Sequence, residues 1–189
     1  MTSAALDRFI ASAADFSQSH SEPADCVLGI APLMLELIDE AGTFLEPRHR
    51  RSSPEGYARN LIRNMPEHGL SLYALVWEPG QWTPVHDHGS WGVVGVLEGA
   101  LEERSFMAVD GEITSDEGIR LKRGGVILLK EHSISSFVPN PDHIHVTGVP
   151  ESRVMAVTLH LYGRNMNSFH IYDIEKGTRC LVDVPHQDT

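Results

Sequence analysis

From about residue 57 onward the chain breaks into short apolar runs separated by Gly, Pro and Asp turns, and this pattern restricts the fold more than any other feature. In residues 70–77, Leu72, Ala74 and Val76 alternate with Ser71, Tyr73 and Leu75, the two-residue period of a strand. Residues 91–97 are rich in Val and Gly, and Glu98-Gly99 marks a turn into residues 100–107. Asp110-Gly111 is a hairpin signal, and Gly124-Gly125 precedes the apolar run 126–129. Further strands are expected near residues 135–138, 143–149, 154–162 and 169–173. So many short strands at even spacing predict a sandwich or barrel. Residues 57–65 fit either a short helix or the first strand.

The first part reads as helical. Leu6, Phe9, Ile10, Ala13 and Phe16 fall at helical spacing, with Thr2 or Ser3 as caps. A second helical region over about residues 24–41 presents Val27, Ile30, Met34 and Ile38 on one side and is expected to end at Gly42. Pro32 should kink or split it. Residues 46–56, with Pro47 and Pro54, read as a loop. The expectation is a mainly β protein: one domain over 1–189, with a helical segment over about 1–45 and a β-barrel over about 55–185.

Composition excludes some partners. The formal net charge of -11 opposes binding to nucleic acid or to an anionic membrane surface. No apolar run approaches the roughly 20 residues that span a bilayer. Met1 to His20 lacks the apolar stretch of a signal peptide. Cys26 and Cys180 read as free thiols, which fits a cytoplasmic protein, either a monomer or a small homo-oligomer.

Chemistry concentrates in Pro84-Val85-His86-Asp87-His88-Gly89. On a strand His86 and His88 would project from one face and form a two-imidazole clamp for a transition metal. Candidates for a third ligand are His132, His143, His145, His160 and His170; His143 and His145 alternate in the same β segment, so pattern alone does not choose between them. His20, His49, His68 and His186 read as exposed polar residues. Gly80 lies six residues before His86, and Gly99 eleven after His88. This arrangement resembles the first signature of the cupin superfamily and implies a cupin double-stranded β-helix, a jelly-roll barrel. Gly92 stands where ordinary cupins place a glutamate ligand. Three neutral histidines would remain, a set that suits Fe(II) with an anionic substrate and that zinc also accepts.

Four further pieces, over residues 57–173, resemble the cysteine dioxygenase family of thiol dioxygenases. They are Tyr57-Ala58-Arg59-Asn60-Leu61, the stretch from Trp77 to His88, His145 seventeen residues before Tyr162, and Thr158-Leu159-His160-Leu161-Tyr162. The resemblance implies one Fe(II) per chain held by His86, His88 and His145, the carboxylate of a small thiol held by Arg59 with Tyr57, and O2 as second substrate. It also implies that Thr158 orients His160, which orients Tyr162. Arg59 at its position leans toward L-cysteine, giving cysteine sulfinic acid. Arg164, close to Tyr162, leaves 3-mercaptopropionate and mercaptosuccinate open. Gly92 replaces the cysteine that animal members cross-link to the tyrosine, so a free Tyr162 is expected; Val149 replaces the family's usual asparagine. The rival readings are a zinc or manganese isomerase or a carbon-bond dioxygenase on the same fold, and a metal-binding cupin without activity.

Overall fold

A computed structural model describes residues 3–139 and 143–183. Thr2 and His186 lie outside the described residues. Two helices, α1 (Ala4–Ser19) and α2 (Pro23–Asp39), precede ten strands. The strands are β1 (Ala58–Met65), β2 (Leu70–Trp77), β3 (Gly92–Glu98), β4 (Ala100–Ala108), β5 (Leu121–Lys130), β6 (Ile134–Phe137), β7 (Ile144–Gly148), β8 (Ala156–Tyr162), β9 (Ser168–Asp173) and β10 (Thr178–Asp183). Of residues 57–65, ambiguous by pattern, all but Tyr57 form strand β1. No helix among the described residues is long and apolar enough to cross a membrane.

One sheet has the order β1-β2-β8-β3-β6, with every neighbour antiparallel. Opposite it lie β5-β4-β7 and the ribbon β9-β10. The connection after β2 joins these two pieces. Trp82 and His86 bridge to β7 at Gly148 and His145, and His86 also bridges to Ile171 of β9. The result is the cupin double-stranded β-helix expected from the sequence.

Burial explains why β2 and β8 are so apolar. Leu70, Leu72, Ala74 and Val76 of β2 share one core with Val157, Leu159 and Leu161 of β8 and with the helices. The alternate residues, Tyr73, Leu75 and Trp77, face the barrel interior with Tyr162. Central strands covered on both faces lose the polar-out alternation of a half-exposed strand. On β8 the interior positions go to Thr158, His160 and Tyr162, all buried. The polar side chains of the central sheet are thereby aimed into the barrel rather than at solvent.

The helices seat on this sheet through glycine. A Cβ on Gly95 of β3 would lie 2.5 Å from Ile38 Cδ1, and one on Gly29 of α2 would lie 2.3 Å from the Phe16 ring of α1. Helix α2 runs unbroken through Pro32 and ends at Asp39, not at Gly42, which falls inside a short 3-10 turn. Ser3 occupies the cap position of α1, but its hydroxyl bonds Thr43 Oγ1 (2.9 Å) instead of the helix.

Other expectations need correction. Gly124 and Gly125 lie within β5, at the register shift opposite β4, so the strand starts well before the apolar run 126–129. The Asp110-Gly111 pair belongs to a longer connection, since Ala108 pairs with Leu121. Strand β10 has no counterpart among the strands expected from sequence, and residues 46–56 include a 3-10 turn, Pro47–Arg50. The His86–His88 segment is no regular strand; two isolated bridges at His86, to His145 and to Ile171, hold it.

The β3–β4 turn gives a stability test. Gly99 has φ 74°, and a Cβ there would lie 2.5 Å from the Met155 carbonyl oxygen, whereas Gly111 has φ 87° and open space around it. Gly111→Ala should lower unfolding free energy by about 1 kcal/mol, the left-handed cost alone, and Gly99→Ala by about 2–4 kcal/mol because backbone must also move. Urea unfolding midpoints check the order, and equal losses would refute it.

Candidate metal centre

His86 is placed by backbone bonds to β7: its N–H donates to the His145 carbonyl (2.9 Å), and the His145 N–H donates back (3.0 Å). His88, two residues on, returns to the same side. The ring centroids are 4.8 Å apart for His86–His88, 4.6 Å for His86–His145 and 4.9 Å for His88–His145. One nitrogen from each lies within 4.8 Å of the others, and all three side chains are buried.

The donor set fits a transition metal. His86 Nδ1 meets the Pro84 carbonyl oxygen at 3.1 Å, which leaves its Nε2 for another partner. His88 Nδ1 and His145 Nε2 are buried without a hydrogen-bond partner among the described residues. Unpaired polar atoms in a protein interior are costly, and three converging imidazoles with spare nitrogens mark a ligand position. Burial, with the neighbouring imidazoles, holds His86 and His88 well below the usual histidine range. Burial also lowers His145, against the pull of Glu103. Neutral imidazole is the form that ligates.

The other candidate ligands fall elsewhere. His132 is on the surface, 3.1 Å from Asp39. His170 Nδ1 pairs with Asp87 Oδ2 at 3.0 Å. His160 lines the cavity but is engaged with Thr158 and Tyr162. His143 precedes β7, and its Nε2 sits behind the triad, 3.1 Å from His145 Nδ1 and 3.2 Å from Glu103 Oε1. The two histidines that share a pattern therefore do not share a position.

Gly92 has a steric reason. A Cβ there would lie 2.3 Å from Phe137 Cζ. The Phe137 ring stacks on His88 at 4.2 Å and 22°, so it occupies the space a carboxylate ligand would need. Neither thiol reaches this wall: Cys26 bonds carbonyls near the end of α1, and Cys180 is exposed on β10.

The opposite wall carries Arg59 and β8. Arg59, buried on β1, donates to the Met166 carbonyl and lies over the Tyr73 ring at 4.9 Å. Tyr57 stacks on Trp77 with centroids 4.5 Å apart. Trp77 Nε1 donates to Thr158 Oγ1 (2.9 Å), which meets His160 Nε2 (2.8 Å), and His160 Nδ1 meets the Tyr162 hydroxyl (3.1 Å). Thr158 is fully buried. If it accepted from both neighbours, its own proton would have no acceptor among the described residues. The satisfied arrangement runs onward: Trp77 to Thr158, Thr158 to His160, His160 to Tyr162. The Tyr162 proton is then left to point into the cavity. Burial pushes the Tyr162 hydroxyl well above the usual phenol range, and burial lowers His160 to about 3. At neutral pH Tyr162 keeps its proton and His160 is uncharged.

Several residues around the centre do not stand out in the sequence. Asp87 faces away from the triad, where its carboxylate accepts from the His170 backbone N–H (3.1 Å) and the Tyr172 hydroxyl (2.8 Å). Its place between His86 and His88 is the available signal, since alternation turns it outward. Glu103 of β4 is buried beside His143 and His145; burial raises its carboxyl, but the bonds from the two imidazoles outweigh this and hold it well below the usual range. In Glu102-Glu103 the sequence does not distinguish the inward acid from the outward one. Phe137 is not singled out by the sequence, and Trp77 enters there only as the start of the stretch that leads to His88. Arg164 does not line the cavity: it is turned to Met166 Sδ (3.3 Å) and the Ser168 carbonyl. His49, expected to be exposed, is buried and accepts the Glu46 backbone N–H.

A sequence profile of the family described as "Cysteine dioxygenase type I" matches residues 46–176. Similar solved structures include a conserved protein with a double-stranded β-helix domain from Klebsiella pneumoniae, at 16% identity and TM-score 0.48, covering 72% of this chain and 94% of that one. A Thermus thermophilus protein, TT1209, has 20% identity and TM-score 0.45, covering 63% and 95%. An oxalate oxidase has 17% identity and TM-score 0.44, covering 60% and 53%.

His160 gives a pH prediction. Its value is about 3 when folded, against the ordinary 6.5. The unfolded chain therefore binds the extra proton between these values, and the stabilisation present above about pH 6.5 is lost as pH falls toward 3. The difference in unfolding free energy between parent and His160→Gln should change by up to about 1.4 kcal/mol per pH unit in that window, with the parent losing more on acidification. Parallel slopes in denaturant titrations at each pH would show that His160 is not buried neutral.

Proposed function

The chain belongs to the cysteine dioxygenase type I family, and we propose that it is an Fe(II)-dependent thiol dioxygenase that adds both atoms of O2 to the sulfur of L-cysteine, giving cysteine sulfinic acid. One observation carries this reading: a single cavity is lined by the three imidazoles, by Arg59 and by Tyr162. His86, His88 and His145 would hold the iron, which when bound supplies redox chemistry toward O2 and takes a thiol as its thiolate. Three neutral ligands leave the charge of the ion for an anionic substrate.

The residues of the chain do the positioning. Arg59 is the only cationic side chain lining the cavity among the described residues. Its guanidinium grips one carboxylate through charge-assisted bonds, with Tyr57 beside it. Thr158 and His160 hold the Tyr162 hydroxyl, whose proton is free to bond the reacting sulfur or oxygen and to move as charge develops. Leu75, Val94 and Phe169 exclude water from the same space. This supports a substrate with one carboxylate. A dicarboxylate such as mercaptosuccinate would need a second cation, and Arg164 is turned away. 3-Mercaptopropionate is the second reading, because it also presents one carboxylate to Arg59. A metal-binding module without activity would have no use for the buried Tyr162 arrangement.

O2 uptake by the Fe(II)-loaded protein with L-cysteine, 3-mercaptopropionate and mercaptosuccinate, with products identified by mass, tests the reading. L-Cysteine should give the largest kcat/KM and a product heavier by two oxygen atoms. No uptake with any thiol, in protein holding iron, would refute it. Arg59→Ala should raise KM about 10²-fold by removing charge-assisted bonds to the carboxylate. Tyr162→Phe should lower kcat about 10²-fold with little change in KM. Full activity in the latter would remove Tyr162 from the chemistry.

A further inference from the structure

We propose that Glu103 is the positioning residue for the third metal ligand: its carboxylate accepts the Nδ1–H of His145 and so points the Nε2 lone pair of that ring at the triad. This rests on the three-histidine reading above. Strand register creates the encounter. Glu103 of β4 lies directly opposite Thr147 of β7, and His145 is two residues from Thr147, so all three side chains share the inward face. Glu103 is 7% exposed, and its ion-pair partners among the described residues are two imidazoles, with no lysine or arginine. His143 Nε2 lies 3.2 Å from Oε1, and His145 Nδ1 lies 3.6 Å from Oε2 and 3.1 Å from His143 Nε2. With the His143 Nε2–H donated to Oε1, that nitrogen has no lone pair to offer, and the carboxylate is the acceptor left for Nδ1 of His145. A buried carboxylate requires donors, and these two ring nitrogens are the ones it faces.

The proton count then fixes the tautomer. A neutral imidazole carries one N–H. With that proton on Nδ1 toward Glu103, the lone pair of His145 falls on Nε2, the nitrogen that is buried without a partner. A carboxylate behind a ligating imidazole orients the ring and strengthens it as a donor. In this chain it also answers a charge question. Gly92 and Phe137 exclude a carboxylate at the metal itself, and Glu103 places a negative charge one ring farther out. His143 is the brace. It holds the other oxygen of Glu103 and stacks on Phe137 at 5.0 Å and 19°, while Phe137 stacks on His88. Two of the three ligand rings are thus backed by one connected set of side chains.

Four variants of the full chain test this: Glu103→Leu, Glu103→Gln, His143→Phe and His145→Ala. The readouts are the Fe(II) dissociation constant by anaerobic chelator competition, the visible spectrum of Co(II)-loaded protein, metal stoichiometry, and apo-protein unfolding by circular dichroism. Glu103→Leu should weaken Fe(II) binding about 10–100-fold and shift the Co(II) bands. Glu103→Gln keeps an acceptor oxygen without the charge and should fall between Leu and parent. His143→Phe keeps the stack and should stay within about threefold of parent, because His145 retains its carboxylate. If Glu103→Leu does not fold, the Gln variant decides alone. Parent affinity and an unchanged spectrum in folded Glu103 variants would overturn the proposal. So would loss of metal in His143→Phe, or a second metal per chain that disappears with Glu103, since either would make the cluster a binding site in its own right. Metal retained in His145→Ala would instead overturn the three-histidine reading and is recognisable as such.

Discussion

The centre depends on one pair of peptide groups. His86 and His145 exchange N–H···O=C bonds of 2.9 and 3.0 Å. These bonds seat the segment after β2 against β7, and the same segment bonds β9 on its other side, with Tyr172 N–H donating to the Val85 carbonyl at 2.8 Å. One short stretch of backbone therefore closes the second sheet and brings two imidazoles together. Because extended chain alternates, His86 and His88 turn inward while Asp87 turns outward to Tyr172 and His170. A slip of one residue would exchange them. The Asp87 bonds thus resist the slip that would turn His86 and His88 away from His145.

The walls of the cavity follow from burial on both faces of β2 and β8. Their helix-facing residues are aliphatic and fill a core with α1 and α2. Only the barrel-facing side is left for polar groups, and it is sealed from water. There an unpaired hydroxyl or ring nitrogen is expensive, so Trp77, Thr158, His160 and Tyr162 are linked in series. The same dry surroundings keep His160 neutral and Tyr162 protonated. A hydroxyl held in one orientation is the physical consequence.

Three of the site's pieces are legible in the chain because strand alternation and short spacing carry them: His86 with His88, the Thr158, His160 and Tyr162 series, and Arg59 beside Tyr57. The helices are legible from their apolar stripes, and most strands from their turns. The misses lie where no local pattern carries the answer. Gly42 reads as the end of α2, but the helix stops at Asp39. Gly124 sits inside β5, where a Cβ would meet Ser105 Oγ of the facing strand at 2.5 Å. His49 reads as exposed because nothing near it in sequence reveals what covers it.

What the sequence by itself determined is periodicity: which residues share a face and where helix gives way to strand; with family resemblance it also named the candidates for metal-ligating and carboxylate-binding chemistry. Pattern leaves two alternating histidines equivalent and the resemblance points to His145; only the tertiary structure supplies the physical reason, since its ring is the one that meets His86 and His88. His143 and His145 are equivalent by period, yet β7 begins between them, and Glu103, forty residues away, meets both from β4. The choice between them belongs to strand register across the barrel, because a side chain's partners in a sheet are set by the neighbouring strand and not by its own.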